Sequence, residues 1–356
     1  MALQPENPCL MKIESKEGDL PMGKANVAVN RWLGDNERFV SLYNGVVFGG
    51  RQIIKPEELE NLDRETDILL TDKSGKTKGI ERRRDIIKRW KKGADLAILA
   101  CESQERIHYA MPVRCMLYDG LTYKDQIREL RRRYGKNCKE KNAPYLTAEE
   151  YLSGFRKDDV IYPVITLVFY YNEKKWDGAV DLYEMFAGGE DPMIKDALRQ
   201  YIPDYRMNLI DAGHMEEAQL EKFGADLQQV LGMLKYRDRR KELQGYIQKN
   251  EKYFSSVDAE TYQALCSFLN MENGIKEVED MRKEERINMC QALEEWYQDA
   301  VEEGREEGRE EGRETGRHEG IALAKMIFRL SAQGKSEQEI AEEVGISPNE
   351  VKAILQ

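Results

Sequence analysis

Histidine and paired cysteine are what this sequence has least of. Three histidines occur in 356 residues, His108, His214 and His318, far apart and in no HExxH arrangement. That removes the usual signature of a zinc hydrolase. The six cysteines, at 9, 101, 115, 138, 266 and 290, form no CxxC pair. They read as reduced, packed thiols, not as zinc ligands or a disulfide frame. No window approaches the roughly 18 uncharged apolar residues that a membrane span needs. The longest apolar run, VIYPVITLVFYY, is short and contains a proline. The segment MALQPENPCLMKIESKEGDL has no charged-then-apolar leader pattern. A cytoplasmic location without membrane contact is the expectation.

Charge is abundant and uneven. The net charge of −11 argues against a protein that coats nucleic acid without specificity. Yet RRRDIIKRWKK, residues 82–92, holds seven basic residues and one acid. A second basic stretch starts with KDQIRELRRR at Lys124, whereas the segment from Glu302 to Glu319 is dense in glutamate. One part of the chain can face phosphates while another keeps the protein soluble.

Periodicity sets out the organisation. Residues 1–20 are polar and read as a flexible N-terminus. Between Lys24 and Phe48 two helices break at LGDN, with Asp35 or Asn36 capping the second. In that helix Phe39, Leu42, Tyr43, Val46 and Val47 recur at helical spacing and are expected in a core. Arg51 to Thr71 reads as a connector with a short helix opened by Pro56, and TDKSGKTKG (71–79) as a turn. DIIKRW (85–90) and DLAILACESQ (95–104) read as strands joined through KKGA, hence a hairpin. RIHYAMPVRCMLYDGLTYKDQIREL reads as mostly helical. DVIYPVITLVFYY reads as a buried central strand. Met111, Met116, Phe169 and Tyr170 are expected inside. Beyond about Asp181 the pattern is nearly all helix.

The expected organisation is a core at 21–185, a helical domain at 186–300, a Gly/Glu/Arg-repeat helix at 301–330 and a helix-turn-helix-like tail at 331–356. In the repeat EEGREEGREEGRETGR each glycine costs about 1 kcal/mol relative to alanine. Glycine also permits close approach of another backbone, so a homo-oligomer through the C-terminal helices is expected. A solvated spacer helix fits the same pattern. In the tail, Ser336 with Glu339 and Ser347 with Glu350 form capping boxes, with Pro348 opening the last helix. That helix carries Lys352 and no arginine, so partner binding or packing suits it better than reading DNA.

The chemistry-bearing cluster is Asp85, Glu102 and Gln104. Side chains alternate along a strand, so Glu102 and Gln104 share a face. A hairpin folds Asp85 back beside them. Two close carboxylates repel, and a hard divalent cation, Mg²⁺ or Mn²⁺, relieves that repulsion. Such a cation at Asp85 and Glu102 acidifies water for attack on a phosphate. Arg82, Arg83, Arg84, Lys88, Arg106 and Arg114 are candidates to hold the DNA backbone. Arg114 is equally placed to pair with a buried acid. Two acids beside a hairpin are also what a plain polar strand end shows. Gln104 can orient a water only by hydrogen bonds, where lysine would act through charge.

The stretch RRRDIIKRWKKGADLAILACESQERIHYAMPVRCMLYDGLTYKDQI resembles the core of the Rpn family of recombination-promoting nucleases, also described as transposases. In that family an Asp opens a strand, E-x-Q follows a hairpin, and an arginine-bearing helix ends near a tyrosine. The matching positions here are Asp85, Glu102, Gln104, Arg114 and Tyr118. YPVITLVFYYNEKKWDG, around Trp176, resembles the family's next strand and aromatic turn, and YIPDYRMNLID and the glycine-rich tail are also similar. The resemblance implies an α/β (α+β) PD-(D/E)xK restriction-endonuclease-like core, a small mixed sheet flanked by helices, followed by an all-helical C-terminal region. It implies Mg²⁺-dependent DNA cleavage in recombination or mobile-element biology. An acid common on the family's first core helix has no clear counterpart, since VNRWLGDNERF offers Asn30, Asp35 and Glu37. Two other readings stand beside it: a catalytically retired DNA-binding or regulatory protein, and a transposase using three carboxylates.

Overall fold

The computed structural model describes residues 24–62, 65–71, 77–137, 146–186, 192–269, 271 and 286–356. The expected flexible segment 1–20 and most of the turn 71–79 lie outside the described residues. The chain divides into two compact units, Met1–Met289 and Cys290–Gln356.

The first unit is built on a five-stranded mixed sheet in the order β1-β4-β5-β6-β7. Its strands are β1 (Leu59–Asn61), β4 (Ile86–Lys92), β5 (Ala94–Gln104), β6 (Val164–Tyr170) and β7 (Asn208–Asp211). β1, β4 and β5 are antiparallel neighbours, and β5, β6 and β7 run parallel. A separate antiparallel pair joins β2 (Glu65–Thr71) to β3 (Thr77–Arg83). A short pair joins β8 (Val257–Asp258) to β9 (Arg286–Ile287).

Helices cover both faces of the sheet. On one side lie α1 (Lys24–Leu33) and α2 (Asn36–Val46). Asp35 caps α2, accepting from the Glu37 and Arg38 N–H groups. The Tyr43 hydroxyl stands 2.6 Å from Ala100 O and 2.8 Å from Ile165 O, sharing one proton between two strands. Across the sheet lies α3 (Met111–Asn137), whose Met111 and Cys115 pack against Val168, Tyr170 and Met207. Two expectations fail at helix surfaces. Met116 is 40% exposed, and Val46 and Val47 also face solvent. The reason is width: each sheet-facing stripe takes about a third of a helix, and these residues fall on its margin.

α4 (Ala148–Ser153) precedes β6, and α5 (Leu182–Met185) and α6 (Pro192–Arg199) lie between β6 and β7. After β7 follow α7 (Glu217–Leu220), α8 (Ala225–Tyr236), α9 (Arg240–Lys249), α10 (Glu251–Phe254) and α11 (Ala259–Phe268). The expected boundary at residue 185 does not separate two cores. β7 is an edge strand of the same sheet, and α11 packs back on α1 through Trp32 and Phe268, whose rings lie 5.9 Å apart. Arg38 clamps the arrangement, donating to Asp226 and Asp258 at 2.7 Å each. β7 is four residues long, too short for its alternation to stand out in a helical stretch.

The second unit contains most of α12 (Met289–Ala332), then α13 (Glu337–Val344) and α14 (Pro348–Leu355). Ile327 and Leu330 of α12 bury themselves with Ile340, Ala341 and Val351. Both serine capping boxes form, and Gly345, at φ 76°, ends α13 in the left-handed region that glycine enters without strain. Pro348, Asn349, Glu350, Lys352 and Ala353 are the exposed side chains of α14, a surface with little net charge. Among the described residues, no helix is long and apolar enough to cross a membrane.

One feature of β4 corrects an expectation about DNA contact. Lys88 is 1% exposed and donates to Gly34 O, Asn36 Oδ1 and Asn61 Oδ1 at 2.6–2.7 Å. Its ammonium ties β4 to the α1–α2 corner and to β1, where it cannot meet a phosphate. Three oxygens on partly buried or exposed residues accept from this buried ammonium. Lys88→Met is therefore expected to cost about 2–4 kcal/mol, because a set of charge-assisted hydrogen bonds tying three elements together is lost. Urea unfolding followed by tryptophan fluorescence measures this. A loss within about 0.5 kcal/mol, the range of ordinary surface changes, would mean the clamp contributes nothing.

Candidate active site

The β4–β5 hairpin turns through Gly93, whose φ of 76° suits glycine. A bulge near Trp90 and Lys91 absorbs one residue close to the turn. From there to the open end the register is unbroken, through Ile87↔Ala100 to Ile86↔Cys101. The paired register ends there, and Asp85 lies at a bend just before β4, near enough to Glu102 to raise its carboxyl. Asp85 Oδ2 also accepts the Ser103 N–H at 2.8 Å, which fixes the carboxylate against the β5 backbone.

Glu102 is completely buried. Its Cα partner on β6 is Val168, and that of Gln104 is Tyr170, so both side chains lie on the face that meets α3. Neither Glu102 oxygen has a hydrogen bond among the described residues. Arg114, in the first turn of α3, stands closest among the described ion pairs, its Nη2 3.9 Å from Glu102 Oε2. Gln104, at the strand end, is half-buried. Beyond it the chain is laced to the end of β6, since the Tyr171 N–H donates to Gln104 O and Asn172 Nδ2 to Glu105 O. The acids thus sit at the carboxyl end of the parallel strands, where α/β sheets commonly open a crevice.

The basic candidates separate. Arg84 is 3% exposed, donating to Asp119 Oδ1 at 2.8 Å and Thr166 Oγ1 at 2.9 Å. It is internal and, like Lys88, is corrected from a DNA contact to a structural cation. Arg106 is exposed beside the strand end, and Arg114 is partly exposed. The side chains of Arg82 and Arg83 lie outside the described residues. On the first helix Asp35 is spent as a cap, Glu37 faces solvent and Asn30 is buried.

A buried polar network behind Glu102 was not expected. Asp119 Oδ1 receives Arg84 and the Thr166 hydroxyl, and its Oδ2 receives the Tyr205 hydroxyl at 2.6 Å. The signal was present in the helix. Met111, Cys115, Asp119 and Thr122 recur on the inward stripe of α3, and an acid there demands a buried cation.

The donor types suit a hard divalent cation: two neighbouring carboxylates, one of them sealed from water with both oxygens lacking hydrogen bonds. Among the described residues no group of three or more His, Cys, Asp or Glu side chains is placed to hold a metal. A cation here would complete its shell with water, as Mg²⁺ commonly does.

Burial, and after it the neighbouring Asp85, pushes the Glu102 carboxyl up from 4.5 to about 8, while Arg84 and Arg114 pull it down. A carboxyl raised by folding adds stability that is fully present below its unfolded value and is lost as pH rises through the folded one. In a chelator, the wild-type protein is expected to lose stability relative to Glu102→Gln between pH 4.5 and about 8. Paired thermal melts across that window test this. A difference that stays flat would mean the carboxyl is not held in its neutral form.

Residues 146–264 match the family described as "Putative transposase, YhgA-like". No curated protein and no solved structure matches the chain. The matched stretch holds β6, β7 and α8, and it does not include Asp85, Glu102 or Gln104. Over about a third of its length, the chain carries the signature of the YhgA-like putative transposases, consistent with the family resemblance of the preceding hairpin.

Proposed function

We propose that the protein is a divalent-metal-dependent DNA endonuclease with a PD-(D/E)xK-type core, acting in recombination or mobile-element biology. The observation that carries this reading is the nearness of Asp85, bonded to the Ser103 N–H, to the sealed Glu102 at the carboxyl end of β5. The transposase-family match supports a partner of the DNA class.

In this reading Asp85 and Glu102 hold Mg²⁺ or Mn²⁺. When bound, the cation supplies acidification of water and neutralisation of phosphate charge. The Ser103 N–H keeps the Asp85 carboxylate aimed into the site. Gln104, on the Glu102 face at the strand end, orients the attacking water through its amide. That water's oxygen bonds to phosphorus, the ester P–O bond breaks, and a proton reaches the departing oxygen. Arg106 lies exposed beside the strand end, where it can contact the DNA backbone.

Supercoiled plasmid incubated with Mg²⁺ or Mn²⁺ is expected to be nicked or linearised. Asp85→Ala and Glu102→Ala are each expected to abolish this. Cleavage persisting in both variants would place the chemistry elsewhere. Salt-sensitive DNA binding with no cleavage in either metal would favour the retired, regulatory reading.

Assembly through α12 is proposed on separate grounds. Positions 304–320 are all exposed, and none of the five glycines between Gly304 and Gly320 has a neighbour within 4 Å of where a Cβ would stand. A second chain can therefore approach this backbone closely. Light scattering is expected to show a multimer for the full chain and a smaller species once residues 302–356 are removed. An unchanged stoichiometry would exclude the segment as the contact.

A further inference from the structure

Tyr109 stands apart from the other aromatic residues at the carboxyl end of the sheet. It is 62% exposed, whereas Tyr170 and Trp176 beside it are buried. The ring is nonetheless held in place. Ile107, two residues earlier, packs on the cluster that contains Met111, Tyr170 and Trp176. The Tyr109 hydroxyl donates to the Asp177 carboxylate, which also meets Lys174 Nζ at 2.6 Å. A Cβ on Gly178 would stand 3.3 Å from Tyr109 Cδ1 and 3.3 Å from the Trp176 indole nitrogen, so the glycine gives both rings room against the turn. The result is a flat, fixed surface open to solvent, and a group that lies on it orders little that was mobile.

Its position follows from a chain of neighbours. Gln104 and Tyr170 are register partners, and the Tyr170 and Trp176 rings meet edge to face at 5.1 Å. Tyr109 borders Trp176 across Gly178. It therefore belongs to the strand end that carries Glu102 and Gln104. In the two loops that leave β5 and β6 there, Glu105, Glu173 and Asp177 balance Arg106, Lys174 and Lys175. These loops bring no net charge to attract a chain of phosphates. What they present besides Arg106 is an aromatic face.

We propose that Tyr109 is a stacking platform for an unpaired base, so that the protein prefers DNA with a single-stranded end, flap or bubble over fully paired duplex. The choice of DNA as the ligand rests on the nuclease reading above. A base inside a duplex has both faces covered by its neighbours, whereas a base out of the stack offers a free one. Every base has such a face, so the platform selects strand structure and not sequence.

Single-stranded DNA carrying one 5-iodouracil, and a blunt duplex carrying it at an internal pair, are irradiated with the full chain in a chelator. Mass spectrometry is expected to find the adduct on Tyr109 with the single strand alone. In binding assays Tyr109→Ala is expected to hold the single strand about tenfold more weakly, within the range for one stacked base, and the duplex as wild type does. Tyr109→Phe keeps the ring and is expected to stay within about twofold of wild type on both. A melting curve shows whether each variant is folded, and if Tyr109→Ala is not, the adduct and Tyr109→Phe decide. No adduct on Tyr109, or an equal effect or none on the two DNAs in folded Tyr109→Ala, overturns the proposal. Plasmid cleavage is read separately. Cleavage without the adduct overturns this inference alone, and the adduct without cleavage overturns the nuclease reading alone.

Discussion

A carboxylate enclosed by protein must be offset by something, and that requirement at Glu102 orders much of the surrounding structure. The side chain is sealed on the α3 face of β5 with no hydrogen bond to either oxygen. Three things can compensate: a proton, a guanidinium or a metal ion. Burial and the neighbouring Asp85 favour the proton, and Arg114 supplies the guanidinium. A divalent ion can take the place of both. Such a group costs stability unless occupied, which is how folds tend to pay at sites of chemistry.

Around this strained centre the charges are sorted by commitment. Arg84, Asp119, Thr166 and Tyr205 form a closed buried network, in which each partner answers another's desolvation. Lys88 is satisfied by three neutral oxygens. These cations hold the strands that carry the acids. The family match falls on the following segment, with β6 and β7. Those strands complete the parallel half of the sheet and so position the carboxyl end of β5 from the other side.

Much of the architecture was legible in the residues. The hairpin about Gly93, the long helix after it and the buried strand around Phe169 follow from alternation, glycine placement and apolar runs. That Asp85 falls near Glu102 was readable because a hairpin register is set locally. What was not legible depended on distant partners. No local pattern tells a basic residue on a strand whether it will meet water or three oxygens from other elements, as Lys88 does. The β2–β3 pair was read as a connector and a turn, and β7 was lost among helices because four residues carry too few alternations. Arg38, joining residues 188 and 220 positions away, ties the later helices to the first ones, a closure that sequence spacing alone does not reveal.

The glycine-spaced part of α12 has a consequence of its own. From Gly304 to Gly320 every side chain is turned to solvent, so this stretch gains no stability from packing within its own chain. Helix and coil there compete on nearly equal terms, because propagation is weakened at every fourth residue. A surface that docks against it tips the balance, so that ordering and encounter become a single equilibrium. Under the proposed self-association, protein concentration sets the helical content of this region as much as its own amino acids do.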